Sequence, residues 1–599
     1  MEKKLLEDQY KILNNKLIEE QNTSGFWTGR LSSSALGVSV AIVAIKLKGL
    51  PNHEVRVFKG LQWLYANVNS DGGYGDTAES ESNVSTSFLC YAAIHFCQTK
   101  DYDGTKILLG IERYLESQNI NLKSGSIAKS VLRHYGKDYT FSVPILAMLT
   151  ICGILSDDDI RKIPQLPFEL TLLPSSFYRF FNMQVVSYAI PALVAVGIYL
   201  FKKRNRSNFL VKTIRNRSID PAIAKLLRLV PESGGFLEAI PLTAFVSMCL
   251  ILSGYKENEI VEKGVSFLYN QQREDGSWPI DTDLSTWVTT LSIKALGANL
   301  NSTLGSESVA KLRKHLSDLQ YKDKHPFNAA EPGGWGWASY SGSVPDADDT
   351  PGAILALLEM YQGTDEETKT IIDGCSWLVN LQNSDGGIPT FCKGWGRLPF
   401  DSSCADLTGH TLLAIARSID VLGDRISKPQ KTKFVKCILR ATQYLQKHQD
   451  QDGYWLPLWF GNQNTSRKKN PVYGTAKVST YIVDCLKCKW IDYGLRTNLQ
   501  LMLSTAQGYL MQQQNDDGSW GGYKDISGTI EETSLAVCAL ARKDKDACTK
   551  GFEWLEKEYK NQGLKSNPIG LYFATLWYDE KLYPLIFYVE ALRRTLEIS

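Results

Sequence analysis

Apolar residues along this 599-residue chain fall into two alternating kinds of segment. One kind is a short amphipathic stretch with a basic or small start and an aromatic–aliphatic centre: KGVSFLYNQQ (263–272), RATQYLQKHQ (440–449) and TAQGYLMQQQ (505–514). The other is longer and apolar almost all round. It begins with VSTSFLCYAAI at Val84, STWVTTLSIKAL at Ser285 and TPGAILALLEMY at Thr350, and continues with TGHTLLAIARSI at Thr408, YGTAKVSTYIVDCL at Tyr473 and EETSLAVCALA at Glu531. A single apolar stripe predicts a helix with one wet face, and an apolar surround predicts a helix enclosed by others. Almost nothing alternates with period two, so the predicted class is all-α.

Between the two kinds of helix runs a Gln-x-x-x-Gly-x-Trp tail, complete at 272–278, 449–455 and 514–520. Degenerate copies lead through DGGY (71–74) and NSDGGI (383–388), and the Gly positions at 276, 336, 386, 453 and 518 are 50 to 67 residues apart. That spacing fits one helix pair per repeat. Pairs stacked in a ring bury a continuous core only when the ring closes, so α/α toroids are expected, with the apolar helices as inner wall. In the tail, Gln is expected to meet free amides at a helix start, Gly to permit the turn, and Trp to pack over the joint. Each apolar helix opens near a Thr, as at Thr86, Thr350, Thr408, Thr475 and Thr533, which reads as N-cap chemistry. The repeat phase therefore gathers Asp346, Asp348, Asp349, Asp406, Tyr473 and Glu532 at one end of one ring.

Bulk properties narrow the function classes. Apolar content is 43%, charged content 22% and net charge +2, so nothing points to nucleic acid. The N-terminal stretch is amphipathic without a signal-peptide core, which leads to the expectation of an unprocessed, cytoplasmic-side protein. No run of 18 apolar residues occurs; the nearest is 185–200, broken by Pro191 and followed by Lys202, Lys203, Arg204 and Arg206. Apolar surface closed by a basic cluster suits a segment that dips into one leaflet. The 12 cysteines are scattered in apolar helices, with Cys485 and Cys488 the only close pair, so no metal and no cofactor is expected.

The residues that could do chemistry centre on PDADDTP (345–351), a triple carboxylate before an apolar helix. With the tails and GGWGW (333–337), it resembles the squalene–hopene cyclase family, the class II triterpene cyclases with an Asp-x-Asp-Asp motif. The likeness extends from Phe26-Trp27 to NPIGLYFATLWY (567–578). It implies two α/α barrels, one inserted in the other's sequence, with a cavity between them. Mapped here, residues 1–20 join 265–599 in the barrel bearing the carboxylates, and 25–262 form the other. It further implies monotopic membrane contact through 166–200 and a possible homodimer.

By the same resemblance Asp348 is the proton donor, flanked by Asp346 and Asp349, in a polycyclisation of a linear polyprene, squalene first. An alkene is a very weak base, so its protonation needs a strong acid in a dry cavity. A cation beside the carboxyl group would sharpen that acid; His410 is the expected one, with Asp406 one turn before it to orient the ring and keep it charged. Tyr473 matches the tyrosine that orders water for reprotonation. Aromatic faces stabilise carbocations without trapping them, and Trp337, nine residues before Asp346, and Trp287 are expected there. Trp459, Tyr572 and Phe573 are further candidates. The chain departs from the family in Glu531 and Glu532, in the polar loop 460–470, and at NPIGLYF, all at the end that terminates cyclisation. A prenyl diphosphate or prenylated aromatic is thus an alternative substrate, with Arg467, Lys468 and Lys469 to meet a diphosphate. A non-catalytic protein-binding toroid is the third reading.

Overall fold

The computed structural model describes every residue except 1, 2, 100–103, 124, 137, 138, 174–185, 205–208, 395–398, 572–575 and 599. Six helices pack each against the next: Ser285–Leu296, Asp349–Glu359, Ala405–Leu422, Pro471–Cys485, Ile530–Leu540 and Tyr583–Leu596. The last returns to the first, so the ring closes. Five of these contain segments read from the sequence as apolar; the sixth, Tyr583–Leu596, was not singled out and carries buried Glu590, Arg593 and Arg594. Nearly every residue in all six is buried. Around them lie Lys3–Glu19, Ser306–Asp318, Asp365–Leu381, Lys428–His448, Tyr493–Gln512 and Lys545–Gln562, each burying a single stripe. Lys3–Glu19 packs on Tyr583–Leu596, so the two ends of the chain complete one barrel.

A second ring is built from Ala35–Lys48, Val84–Cys97, Tyr139–Ile151, Val186–Arg204 and Ile240–Leu250, again closing on its first member. The apolar core divides accordingly into two clusters. The helix Glu259–Gln271 packs against Ile240–Leu250 and Ala35–Lys48, and Trp278 belongs to the second ring's core while Trp287 belongs to the first. The second core also takes in Phe327, Val344 and Cys392 from later in the chain, and the first takes in Trp27.

The tails hold the joints by a mechanism different from the one expected. Gln side chains donate to carbonyls instead of accepting from amides. Gln449 Nε2 reaches Gly453 O at 2.9 Å and Met502 O at 3.0 Å; Gln514 reaches Gly518 O and Ala547 O, both at 2.9 Å. Each Gln thereby ties its turn to the next outer helix. The Trp indole N–H closes the turn onto its own preceding helix, as in Trp455 to Leu445 O (2.9 Å) and Trp520 to Leu510 O (2.7 Å). Gly518 lies at φ +93°, and a Cβ there would stand 2.5 Å from Lys550 O, so the turn needs glycine for both conformation and space.

The threonines also act differently. Thr475 Oγ1 accepts from Trp455 N and Thr533 Oγ1 from Trp520 N, each at 3.0 Å, so they pin the tail to the inner helix. Capping falls to other residues: Asn470 accepts from Tyr473 N (3.1 Å) and Thr529 from Glu532 N (3.0 Å). A small antiparallel sheet departs from the all-helical pattern: Gly461–Asn462 pairs with Ile569–Leu571, which pairs with Leu576–Tyr578. It straps the two rings together, because Trp577 N donates to buried Asp76 of the second ring at 2.7 Å. Among the described residues no helix is long and apolar enough to cross a membrane, and all 12 cysteines are buried free thiols.

Candidate active site

The triple carboxylate sits where one repeat turn feeds an inner helix. Asp346 N bonds Trp335 O (3.0 Å) and Ala347 N bonds Thr390 O (2.9 Å), which fixes the strand-like entry. Asp346 Oδ1 then accepts from Asp348 N (2.9 Å) and Asp349 N (2.7 Å), capping the helix Asp349–Glu359. Asp348 is left at the helix's positive end, where a carboxylate is favoured. Asp346 and Asp349 are buried, whereas Asp348 keeps part of its surface free. Burial nevertheless raises Asp348 well above the usual carboxylate range, with Asp406 and Asp346 adding to the rise. Loss of hydration on burial disfavours the charged carboxylate in this way. Asp349 is likewise raised by burial and by Asp346 and Asp348.

Behind the carboxylates, His410 lies one turn below on the facing helix; its Cε1 is 3.6 Å from where a Cβ on Gly352 would be. Its ring stacks on Tyr481 (centroids 4.6 Å apart, 8° between planes) and meets Trp287 edge-on at 6.1 Å. Burial drives its pKa well below the ordinary histidine value, with Lys477 and Lys294 pushing the same way. Burial therefore works against the imidazolium expected there. Nor does Asp406 hold it: Asp406 pairs with Cys404 Sγ and Leu407 N (3.1 Å), and His410 Nδ1 has no hydrogen-bond partner among the described residues. A stacked, dry site disfavours charge more than a turn-distant carboxylate favours it.

The cation nearest this chemistry is one that the sequence reasoning missed, Lys477. It is buried (3% exposed) on the helix Pro471–Cys485, one turn after Tyr473. Its Nζ lies 5.4 Å from the centroids of Trp287 and Tyr481, 5.7 Å from Phe587 and 6.0 Å from Tyr473. A lone lysine in an otherwise apolar inner helix was the available signal. Tyr473 is buried, stacks on Phe460 at 4.7 Å, and feels the charges of Asp406 and Asp348. A cavity of about 210 Å³ lies beside Trp287 and His410, lined by the apolar Leu291, Leu355 and Leu413 as well as by Lys294, Asp484 and Arg594.

The expected cation-stabilising residues fall into two places. Trp287 stands with the acid cluster, its indole donating to Tyr583 OH at 3.0 Å. Trp337 and Trp459 stand at the seam between the rings, joined through Phe391, whose ring is 6.2 Å from Trp337 and 5.9 Å from Trp459. Phe400 completes this aromatic wall at 5.8 Å from Trp459. Neither phenylalanine was singled out from the sequence, because both lie in a turn with no repeat signature. Tyr572 and Phe573 lie outside the described residues. Glu531 accepts from Asn567 N (2.9 Å) and Nδ2 (3.2 Å), and burial with Glu532 nearby raises it to about 8. Glu532 accepts from Asn462 (3.0 Å) and Asn470 (2.9 Å), so it anchors the loop that carries the strap. Lys468 of the same loop bonds Glu81 of the second ring at 2.8 Å. No group of three or more His, Cys, Asp or Glu able to hold a metal occurs among the described residues.

Two closed rings of helix pairs with an acid cluster at an inner-helix start define an α/α double-barrel protein. Residues 284–593 match the family model of the squalene-hopene cyclase C-terminal domain, and the chain belongs to that family. It is 23% identical to a squalene–hopene cyclase of Bradyrhizobium diazoefficiens, over 94% of this chain and 90% of that protein. It is 25% identical to enfumafungin synthase of Hormonema carpetanum over 61% of this chain, and spans only 28% of that longer protein. Among solved structures, ent-copalyl diphosphate synthase from Streptomyces platensis shares the fold, with a TM-score of 0.59 at 15% identity, covering 98% of this chain and 99% of that one.

Proposed function

We propose that this chain is a class II terpene cyclase that protonates the terminal alkene of a linear polyprene, squalene first, and guides the carbocation through ring closures. The single observation that carries the reading is the geometry of Asp348, half-open at a helix start while its two neighbours are buried and fixed. Its O–H would break as the alkene π pair forms the new C–H bond, leaving a carboxylate at the helix's positive end. Asp346 positions the acid through the backbone, and burial together with the charges of Asp406 and Asp346 favours its protonated form. The faces of Trp337, Phe391, Phe400 and Trp459 suit the migrating cation, each worth about 0.5–2 kcal/mol. Termination by loss of a proton or capture of water completes the reaction.

Squalene is favoured over a prenyl diphosphate because Lys468, one of three basic residues available to a diphosphate, is committed to Glu81. Similarity to a squalene–hopene cyclase along almost the whole chain supports the same choice. Contact with one membrane leaflet belongs to this proposal. Leu170, Leu172, Phe209, Val211 and Ile214 are exposed on two packed elements of the second ring, and the basic Lys202, Lys203 and Arg204 end the neighbouring helix. The test is to incubate detergent-solubilised protein with squalene, and separately with geranylgeranyl diphosphate, and to analyse the products by mass. Cyclised triterpene from squalene, lost in Asp348→Asn, is expected. Full turnover in that variant, or turnover of the diphosphate alone, would overturn the proposal.

A further inference from the structure

We propose that Lys477 supplies the positive charge that stabilises the conjugate base of Asp348, the part the sequence reading gave to His410. The inference rests on the cyclase reading above and concerns how its acid is made strong enough. Three observations converge on the lysine. Its ammonium has no hydrogen-bond partner among the described residues, although the side chain is buried. Four aromatic rings stand within 6.0 Å of it. Its charge acts on both Asp348 and Asp406, the two acids at the mouths of adjacent inner helices.

An ammonium in such a place weakens the fold. Desolvating a cation costs several kcal/mol, and cation–π contacts of about 0.5–2 kcal/mol each recover only part of it. A buried group held at a net loss in stability, beside a reacting acid, is where function is expected. When Asp348 gives its proton to the alkene, the carboxylate that forms faces a cation already in position, so little reorganisation is needed in the transition state. His410 is disfavoured as a cation by burial and by Lys477 and Lys294, and its Nδ1 has no hydrogen-bond partner among the described residues. It serves with Tyr481 and Trp287 as the wall that keeps water from the ammonium.

The charge is titratable. Burial is the main cause that lowers Lys477, to about 8, with Lys294 adding to the fall and Glu590, Asp348 and Asp406 opposing it. Every element packed around it carries groups that set this balance. Asp406 and His410 come from Ala405–Leu422, Asp348 and Asp349 from the start of Asp349–Glu359, and Lys294 from Ser285–Leu296. Glu590 and Arg594 come from Tyr583–Leu596, Tyr473, Tyr481 and Asp484 from its own helix, and Cys538 from Ile530–Leu540 beside Glu531 and Glu532. Arg496 of the outer helix Tyr493–Gln512 is turned away, onto Leu486 O and Cys488 O. Glu590 is held near 2: burial raises it, but Lys294, Arg594 and Arg593 outweigh that, so its charge is constant over the range that matters. Because the lysine is lowered, the ammonium is present below about pH 8 and is lost as pH rises through that value.

The test uses the full-length protein and the squalene assay, with Lys477→Met, Lys477→Arg and Asp348→Asn made together. Lys477→Met should lower kcat on the order of 100-fold, the scale of one unit charge at an effective dielectric of about 20, with KM within about threefold. Its melting temperature should stay equal or rise, since a desolvated charge is gone. Lys477→Arg should recover at least a tenth of wild-type kcat, on the order of ten times Lys477→Met, and carry its activity further into alkaline pH. Wild-type kcat should fall as pH rises through about 8, and in Lys477→Met the fall should move to higher pH, where Asp348 itself loses its proton. Wild-type kcat in Lys477→Met overturns the inference. So does a loss that comes with a lowered melting temperature and no recovery in Lys477→Arg. Activity surviving in Asp348→Asn would instead strike at the cyclase acid itself, so the two failures are distinct.

Discussion

Replacing Asp346 separates the two jobs that this carboxyl group performs. Its Oδ1 accepts from two buried backbone amides, Asp348 N at 2.9 Å and Asp349 N at 2.7 Å. Asp346→Ala strands both donors, and each unsatisfied buried amide costs about 1–3 kcal/mol, so the loss should reach about 2–6 kcal/mol. Asp346→Asn keeps an amide oxygen where the carboxylate oxygen stood and should lose less than about 1 kcal/mol. Urea unfolding followed by tryptophan fluorescence measures both. In the Asn variant the charge is gone although the cap remains. Because Asp346 helps raise Asp348, its removal lowers the pKa of Asp348, and the activity that needs a protonated Asp348 should retreat to lower pH. Equal destabilisation by Ala and Asn, or none by either, would refute the cap. An unmoved acid–activity profile in the Asn variant would refute the coupling.

Other outcomes follow from the same geometry. Gly518→Ala should lower the melting temperature by several degrees, since its Cβ would press on Lys550 O from a φ of +93°; calorimetry reads this, and an unchanged melting temperature contradicts the tail mechanism. Glu532→Ala should free Asn462 and Asn470, loosen the strap between the rings and broaden the product mixture in gas chromatography; an unaltered product profile speaks against it. Trp337→Ala should release partly cyclised products while leaving the initial protonation intact, and a simple loss of all turnover would place Trp337 elsewhere in the reaction. Phe209→Asp with Ile214→Asp should weaken co-sedimentation with lipid vesicles several-fold without changing the fold.

The rings were legible in the sequence because closure demands a period. Helices such as Ala405–Leu422, buried along almost every residue, cannot be amphipathic, and the outer helices must be. The carboxylate cluster was equally plain, since three acids before an apolar helix break the pattern. What the sequence hid are interactions set by three dimensions. His410 reads as a cation beside Asp406, but the ring's charge is decided by Tyr481 and Trp287, which come from other helices. Lys477 reads as a surface residue by type, and only ring closure turns it inward. Phe391 and Phe400 meet Trp337 and Trp459, which lie far from them in sequence. The bonding direction of the tail glutamines was likewise invisible, because an amide group donates and accepts equally well until its neighbours are known.

Cyclisation in deuterium oxide tests the central claim most directly. If the carboxyl group of Asp348 starts the reaction and refills from solvent, product formed from unlabelled squalene carries a single non-exchangeable deuterium, at the carbon protonated first. Mass spectra and proton resonance spectra locate it. Product with no deuterium, or the same labelled product at wild-type rate from Asp348→Asn, would contradict the account.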